Sequence, residues 1–155
     1  MDIKKFLKDG IQTIFLSYTI YVDIKKQKRE RCVMEFKQLQ IKGMVFNNVE
    51  QIRDWGIVFT NEEGEKYALA HEQECCEEVY IESVDGDLQD LVGQQLLMAE
   101  EAHEKTDVET YTFYKLATVK GYVTVRFYGA SNGYYSEEAH LYAMDEEGWL
   151  VDLLD

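Results

Sequence analysis

The sequence predicts an α+β fold: mainly antiparallel β-sheet, with one or two short helices and an N-terminal β-hairpin extension. Three observations lead there. Apolar and polar residues alternate with period two along much of the 155-residue chain. Aromatic residues are plentiful, with 11 Tyr and 7 Phe, and these suit a pleated, half-buried surface. Turn signals are brief and rest on Gly, Asn and Asp, since the chain has no proline. An apolar content of 46% supports a packed core over disorder, and the length suits one domain with an appendage.

Asp2 to Lys8 reads as a short helix ended by Gly10. Ile14, Leu16, Tyr18, Ile20, Val22 and Ile24 then form one apolar strand face. Lys25 to Glu30 makes a charged turn, and Cys32, Met34 and Phe36 mark the return strand. Residues 1–37 are therefore predicted to be a basic hairpin extension, and residues 38–155 an acidic α+β domain. Within the domain, strands are expected over Met44–Val49, Trp55–Thr60 and Glu65–His71, the last two joined by the turn Asn61-Glu62-Glu63-Gly64. Val79, Ile81 and Val84 suggest extended chain. Asp87 is placed to cap a short helix from Leu88 to Val92, with Gly93 beyond it. Residues 94–104 fit a buried strand or a helix equally, because the Leu96-Leu97-Met98 run has no diagnostic period. Thr110–Thr118 and Tyr122–Tyr128 read as a hairpin turning at Val119-Lys120-Gly121. A loop over Gly129–Gly133 and a strand from Tyr134 to about Ala143 follow. Asp145-Glu146-Glu147-Gly148 is a turn, and Trp149–Leu154 an apolar tail.

Charge is unevenly placed. Residues 1–42 hold ten Lys/Arg and five Asp/Glu, a balance of +5, whereas residues 43–155 hold six and twenty-five, a balance of −19. An acidic body of this kind disfavours direct nucleic-acid binding, which needs Lys and Arg for phosphate. It suits a partner with a basic surface. Three cysteines, two of them adjacent, do not make a disulfide framework and indicate a reducing, cytoplasmic setting. The longest apolar stretch, Ile14 to Val22, is too short to span a bilayer, and no signal peptide is visible, so no membrane role is expected.

Two motifs carry the candidate chemistry. The first, His71-Glu72-Gln73-Glu74-Cys75-Cys76-Glu77-Glu78, sets a histidine and two thiols among acids. The second is the loop Ser131-Asn132-Gly133-Tyr134-Tyr135-Ser136-Glu137-Glu138. The His71-x-Gln73-x-Cys75-Cys76-Glu77 pattern is followed by Gly86-Asp87-Leu88-x-Asp90-Leu91-x-Gly93, by Thr112 to Thr118 and by Ser131 to Ser136. Together they resemble a family of small phage and prophage proteins of uncharacterised function, over about residues 38 to 140. Glu74 stands where that family usually has Asp. The resemblance implies a mobile-element origin and a bacterial cytoplasm, and it implies no reaction.

Each motif has a chemical reading and a bland one. His71 and Cys75 are spaced as a possible zinc pair, but no second pair completes a site, so no metal and no cofactor is expected. A Cys75 or Cys76 nucleophile with His71 as base would be opposed by Glu72, Glu74, Glu77 and Glu78, which disfavour a thiolate. The simpler reading puts one cysteine in the core and the other partly exposed. Ser131, Asn132, Tyr134 and Tyr135 are residues of adaptable contact surfaces, or of a simple hairpin turn. Glu77, Glu78, Glu137 and Glu138 are expected to point outward as an acidic binding face. No nucleotide loop, nucleophile elbow or Asp-x-Asp cluster is present. The functional expectation is a non-catalytic, phage-borne acidic protein that stoichiometrically inhibits a host nucleic-acid-handling or defence protein, in the manner of an anti-CRISPR. The alternatives are a metal- or thiol-dependent enzyme built on His71, Cys75 and Cys76, and a structural or assembly protein.

Overall fold

The computed structural model describes residues 34–153. The expected helix over 2–8 and the hairpin over 14–36 therefore lie outside the described residues, apart from 34–36, which are irregular. Ten strands follow: β1 (Lys37–Gln38), β2 (Asn48–Ile52), β3 (Gly56–Thr60), β4 (Lys66–Ala70), β5 (Glu78–Asp85), β6 (Met98–Lys105), β7 (Thr110–Ala117), β8 (Tyr122–Ala130), β9 (His140–Met144) and β10 (Leu150–Asp152). They form two antiparallel five-stranded sheets, ordered β1-β6-β7-β8-β5 and β10-β9-β4-β3-β2.

The α+β expectation is overturned. Among the described residues there is no α-helix, only a single 3-10 turn at Leu88–Leu91. Asp87 caps that turn as expected, its carboxylate accepting the Gln89 N–H at 2.9 Å. The turn stops there because Val92 returns to extended backbone and Gly93 N–H pairs with the Phe46 carbonyl at 2.7 Å. The ambiguous stretch 94–104 resolves as strand. Its Ala, Glu and Lys favour helix locally. Eight residues of β6 nevertheless pair with β7, from Met98↔Ala117 to Lys105↔Thr110, and long-range pairing overrides propensity. The strand expected from Tyr134 begins only at His140, and the one expected at Met44–Val49 begins at Asn48.

Alternation places the core. Thr110, Thr112, Tyr114 and Leu116 of β7 point inward while Tyr111, Phe113, Lys115 and Ala117 point out. One buried cluster joins both sheets: Ile57, Phe59 and Leu69 from one, and Tyr114, Leu116, Val125 and Phe127 from the other. Phe46, from the connection into β2, closes it with its ring centroid 5.1 Å from that of Phe59. Burying such side chains stabilises the fold by about 1.5–3 kcal/mol each. Tyr114 also carries a polar tie, its hydroxyl donating to the Ala139 carbonyl at 2.8 Å. No helix among the described residues is long and apolar enough to cross a membrane.

Candidate functional site

Strand order brings the two sequence motifs together. β4 and β9 are neighbours in one sheet, and β5 and β8 are neighbours in the other. The β4→β5 crossover carries His71 to Glu77, and the β8→β9 crossover carries Ser131 to Ala139. Both therefore pass between the sheets at the same end of the fold, side by side.

His71 fastens them. It is 6% exposed. Its Nδ1 lies 2.9 Å from the Glu138 carbonyl oxygen and its Nε2 lies 3.3 Å from Glu77 Oε1. Both partners are acceptors, so a ring serving both bonds at once donates from both nitrogens. Glu77 also accepts the backbone N–H groups of Glu74 and of Cys75, the latter at 3.1 Å. Those bonds, led by the Glu74 N–H and helped by His71, hold the Glu77 carboxyl down to about 2 against the opposing effect of burial. On the other crossover, Glu137 accepts Ser131 Oγ and Thr110 Oγ1, each at 2.7 Å, and these hydroxyls lower its pKa. Gly129 makes the close passage possible, because a Cβ there would run into the Glu137 backbone carbonyl.

The expected outward acidic face is thus half dismantled. Glu77 is buried and Glu137 is tied inward by hydroxyls, while Glu78 is exposed at the start of β5 and Glu138 is half-buried. Asn132 and Tyr134 are exposed, Ser131 and Tyr135 partly buried. The tip of the loop is a self-contained turn, with the Tyr134 N–H on Asn132 Oδ1 at 3.0 Å and the Tyr134 ring 5.0 Å from that of Tyr135. Neither Cys75 nor Cys76 enters the core, contrary to the expectation that one would: both are exposed, because the chain at 75–76 bends instead of continuing as a strand. The proposed zinc or nucleophile pairing of His71 with Cys75 has no ring nitrogen left to use. Among the described residues, no three His, Cys, Asp or Glu side chains are arranged to hold a metal ion.

A cavity of about 250 Å³ lies against the crossovers, bordered by His71, Glu77, Tyr135, His140 and Asp152. His140 and Asp152 also border a cleft of about 550 Å³ with Lys37 and Glu101, at the edge where β1 and β10 end their sheets. Burial lowers the pKa of His140, while Glu138 and Glu101 oppose the shift. The His103 ring is 6.1 Å from that of His140, and its Nδ1 lies 4.0 Å from Glu138 Oε2. All three histidines of the chain thus gather around Glu138, although nothing in their sequence spacing links them.

A second convergence lies at the other end of β4 and β9. The turn Asn61-Glu62-Glu63-Gly64 precedes β4, and Asp145-Glu146-Glu147-Gly148 follows β9. They are built alike. Asn61 Oδ1 accepts the Glu63 and Glu65 N–H groups at 3.1 and 2.9 Å, and Asp145 Oδ1 accepts those of Glu147 and Trp149 at 3.0 and 2.8 Å. Gly64 and Gly148 take φ of 85° and 90°. Because Lys66 pairs with Met144, the two turns stand together and frame a groove of about 800 Å³ edged by Glu63, Glu65, Asp145, Glu146 and Glu147, with Lys66 as its one cation among the described residues. Trp149, at the end of one turn, is 70% exposed. The repeated Asn/Asp-Glu-Glu-Gly was the sequence signal for this pair. Each turn was legible alone, but their adjacency was not.

The outer face of the first sheet is aromatic, with Tyr111 packed edge-on to Tyr128. Glu109 accepts the hydroxyls of Tyr111 at 3.0 Å and Tyr128 at 3.3 Å. Arg126 lies 4.4 Å from the Tyr111 ring centre and pairs with Glu82 at 2.9 Å, although its Nε–H is not aimed well enough for a hydrogen bond.

No curated protein and no solved structure matches the chain. A family model described as a domain of unknown function (DUF7448) matches residues 22–141, beginning earlier than the resemblance read from the motifs. That match takes in both crossovers and covers well over half of the sequence, and the chain accordingly belongs to the DUF7448 family.

Proposed function

We propose that this protein acts by stoichiometric binding to a partner with a basic surface, and that the paired acidic turns form the contact. The observation that carries the reading is the groove between residues 61–65 and 145–149. Two turns far apart in sequence are held in matching geometry so that five carboxylates and Lys66 border one groove, with the exposed ring of Trp149 next in the chain to Gly148. Carboxylates so placed steer a cationic partner, and an exposed Trp is the residue type that most often anchors an interface. The crossover site supports the same reading from the other side, since its His and Glu are consumed in holding two loops and are not poised on a substrate. The shortage of Lys and Arg in residues 43–155 supports a partner that itself handles nucleic acid. The resemblance to small phage and prophage proteins supports a bacterial host and an inhibitory role.

The test is parallel capture from a bacterial lysate by the wild-type protein and by a variant carrying Glu62→Gln, Glu63→Gln, Glu146→Gln and Glu147→Gln. The wild type should retain a basic protein in a salt-sensitive manner and block its binding to nucleic acid at one-to-one ratio. The variant should lose both effects while melting as the wild type does, since exposed charges contribute little to stability. Equal retention by the two proteins, or retention indifferent to salt, would defeat the proposal.

A further inference from the structure

Cys75 and Cys76 occupy the outermost bend of the β4→β5 crossover, and both are exposed. In a strand, neighbouring side chains leave on opposite faces. Here the Glu77 carboxylate draws the Glu74 and Cys75 N–H groups inward, and Gln73 Nε2 donates to the Glu77 carbonyl at 2.6 Å. The backbone is pulled beneath the bend, and the two adjacent thiols are both left exposed. The neighbouring Cys75 side chain raises the pKa of Cys76, with desolvation and the Glu77 charge adding to it. The Cys76 thiol therefore stays protonated near neutral pH and is a slow nucleophile. An internal disulfide is disfavoured as well. Adjacent Cα atoms stand about 3.8 Å apart, below the roughly 4.4–6.8 Å that ordinary disulfides span. What remains is a stable pair of adjacent soft donors on a loop anchored from within by His71.

We infer that Cys75 and Cys76 form a chelating dithiol site for a trivalent metalloid of the arsenical class. Soft thiolate ligands select soft centres. A pyramidal centre takes two sulfurs on one side, which suits donors on adjacent residues of one exposed bend, whereas a linear two-coordinate ion would need them opposed. The chemistry needs no oxidant and no thiolate. With phenylarsine oxide as the probe, two As–S bonds form, and the arsenic-bound oxygen leaves as one water carrying both thiol protons.

The experiment treats the full-length protein with phenylarsine oxide and follows it by intact mass. It then challenges the product with glutathione, a monothiol, or with 2,3-dimercaptopropanol, a dithiol. The expected result is one phenylarsenic group per chain that resists glutathione and is removed by the dithiol. Cys75→Ser and Cys76→Ser should each abolish the resistant product, whereas Cys32→Ser should keep it. Both sites being exposed, the single variants should melt as the wild type does. In urea, glutathione should strip the group at least tenfold faster than from the native chain, because the bend is no longer restrained by Glu77 and Gln73. Resistant labelling that survives either single variant, that requires Cys32, or that is equally resistant in urea would overturn the inference.

Discussion

Removing one oxygen atom from the core tests how the two sheets are joined. Tyr114 is fully buried on β7, and its hydroxyl donates across to the Ala139 carbonyl at 2.8 Å, next to the point where His71 grips Glu138. Burial pushes its pKa well up, so the hydroxyl remains a neutral donor over the whole working range. Tyr114→Phe keeps the ring, including its edge contact with Phe127 at 5.9 Å, and leaves the buried Ala139 carbonyl without that donor. Such an orphaned acceptor costs about 1–3 kcal/mol. With a urea dependence of about 2 kcal/mol/M for a chain of this size, the unfolding midpoint should fall by roughly 1 M. The melting temperature should fall by about 3–8 °C. The assay is equilibrium urea unfolding followed by tryptophan fluorescence and far-ultraviolet circular dichroism, with the slope unchanged. A midpoint within error of the wild type would mean that Ala139 finds another donor, and that the β8→β9 crossover is not held by Tyr114.

Three further outcomes follow from the same geometry. The Glu77 carboxyl titrates at about 2 in the fold against 4.5 ordinarily, so its contribution is full above pH 4.5 and disappears as pH falls through about 2. Glu77→Gln should have a lower urea midpoint than the wild type at pH 7 but lose less of it between pH 4.5 and 2. Parallel pH profiles would refute the assignment. Gly129→Ala forces a methyl into the Glu137 backbone and should cost about 1–3 kcal/mol or more, read as a lowered melting temperature; an unchanged melt would show that the crossovers are not in close contact. On the outer sheet face, Glu82→Gln should cost under about 1 kcal/mol, because both partners of its ion pair are 39% exposed. Arg126→Ala should cost more in the same urea titration, since its guanidinium packs on Tyr111 and Phe113 at 4.4 and 5.6 Å; equal losses would rule out the stacking contribution.

Local patterns in the sequence determined much of this protein. Alternation placed β3, β4, β7 and β8 to within a few residues, and Asn61 to Gly64 and Asp145 to Gly148 were readable as turns, because period and turn chemistry act over a handful of neighbours. Asp87 was readable as a cap for the same reason, although the helix it was expected to start is one 3-10 turn. The charge division and the His71-to-Glu77 motif were also visible, and the family match is consistent with a resemblance to an uncharacterised family. Tertiary structure decided the rest. Residues 98–105 carry helix-forming Ala, Glu and Lys, and became strand because β7 offered eight pairing partners. Glu77 reads as a surface acid in a run of acids. It is buried because His71 and two backbone N–H groups converge on it, and the same bond network leaves both cysteines outside. The meeting of His71 with Glu138, and of one acidic turn with the other, follows from β4 lying beside β9. Strand neighbours so far apart in the chain are chosen by the packing of two whole sheets, which no short window of residues encodes.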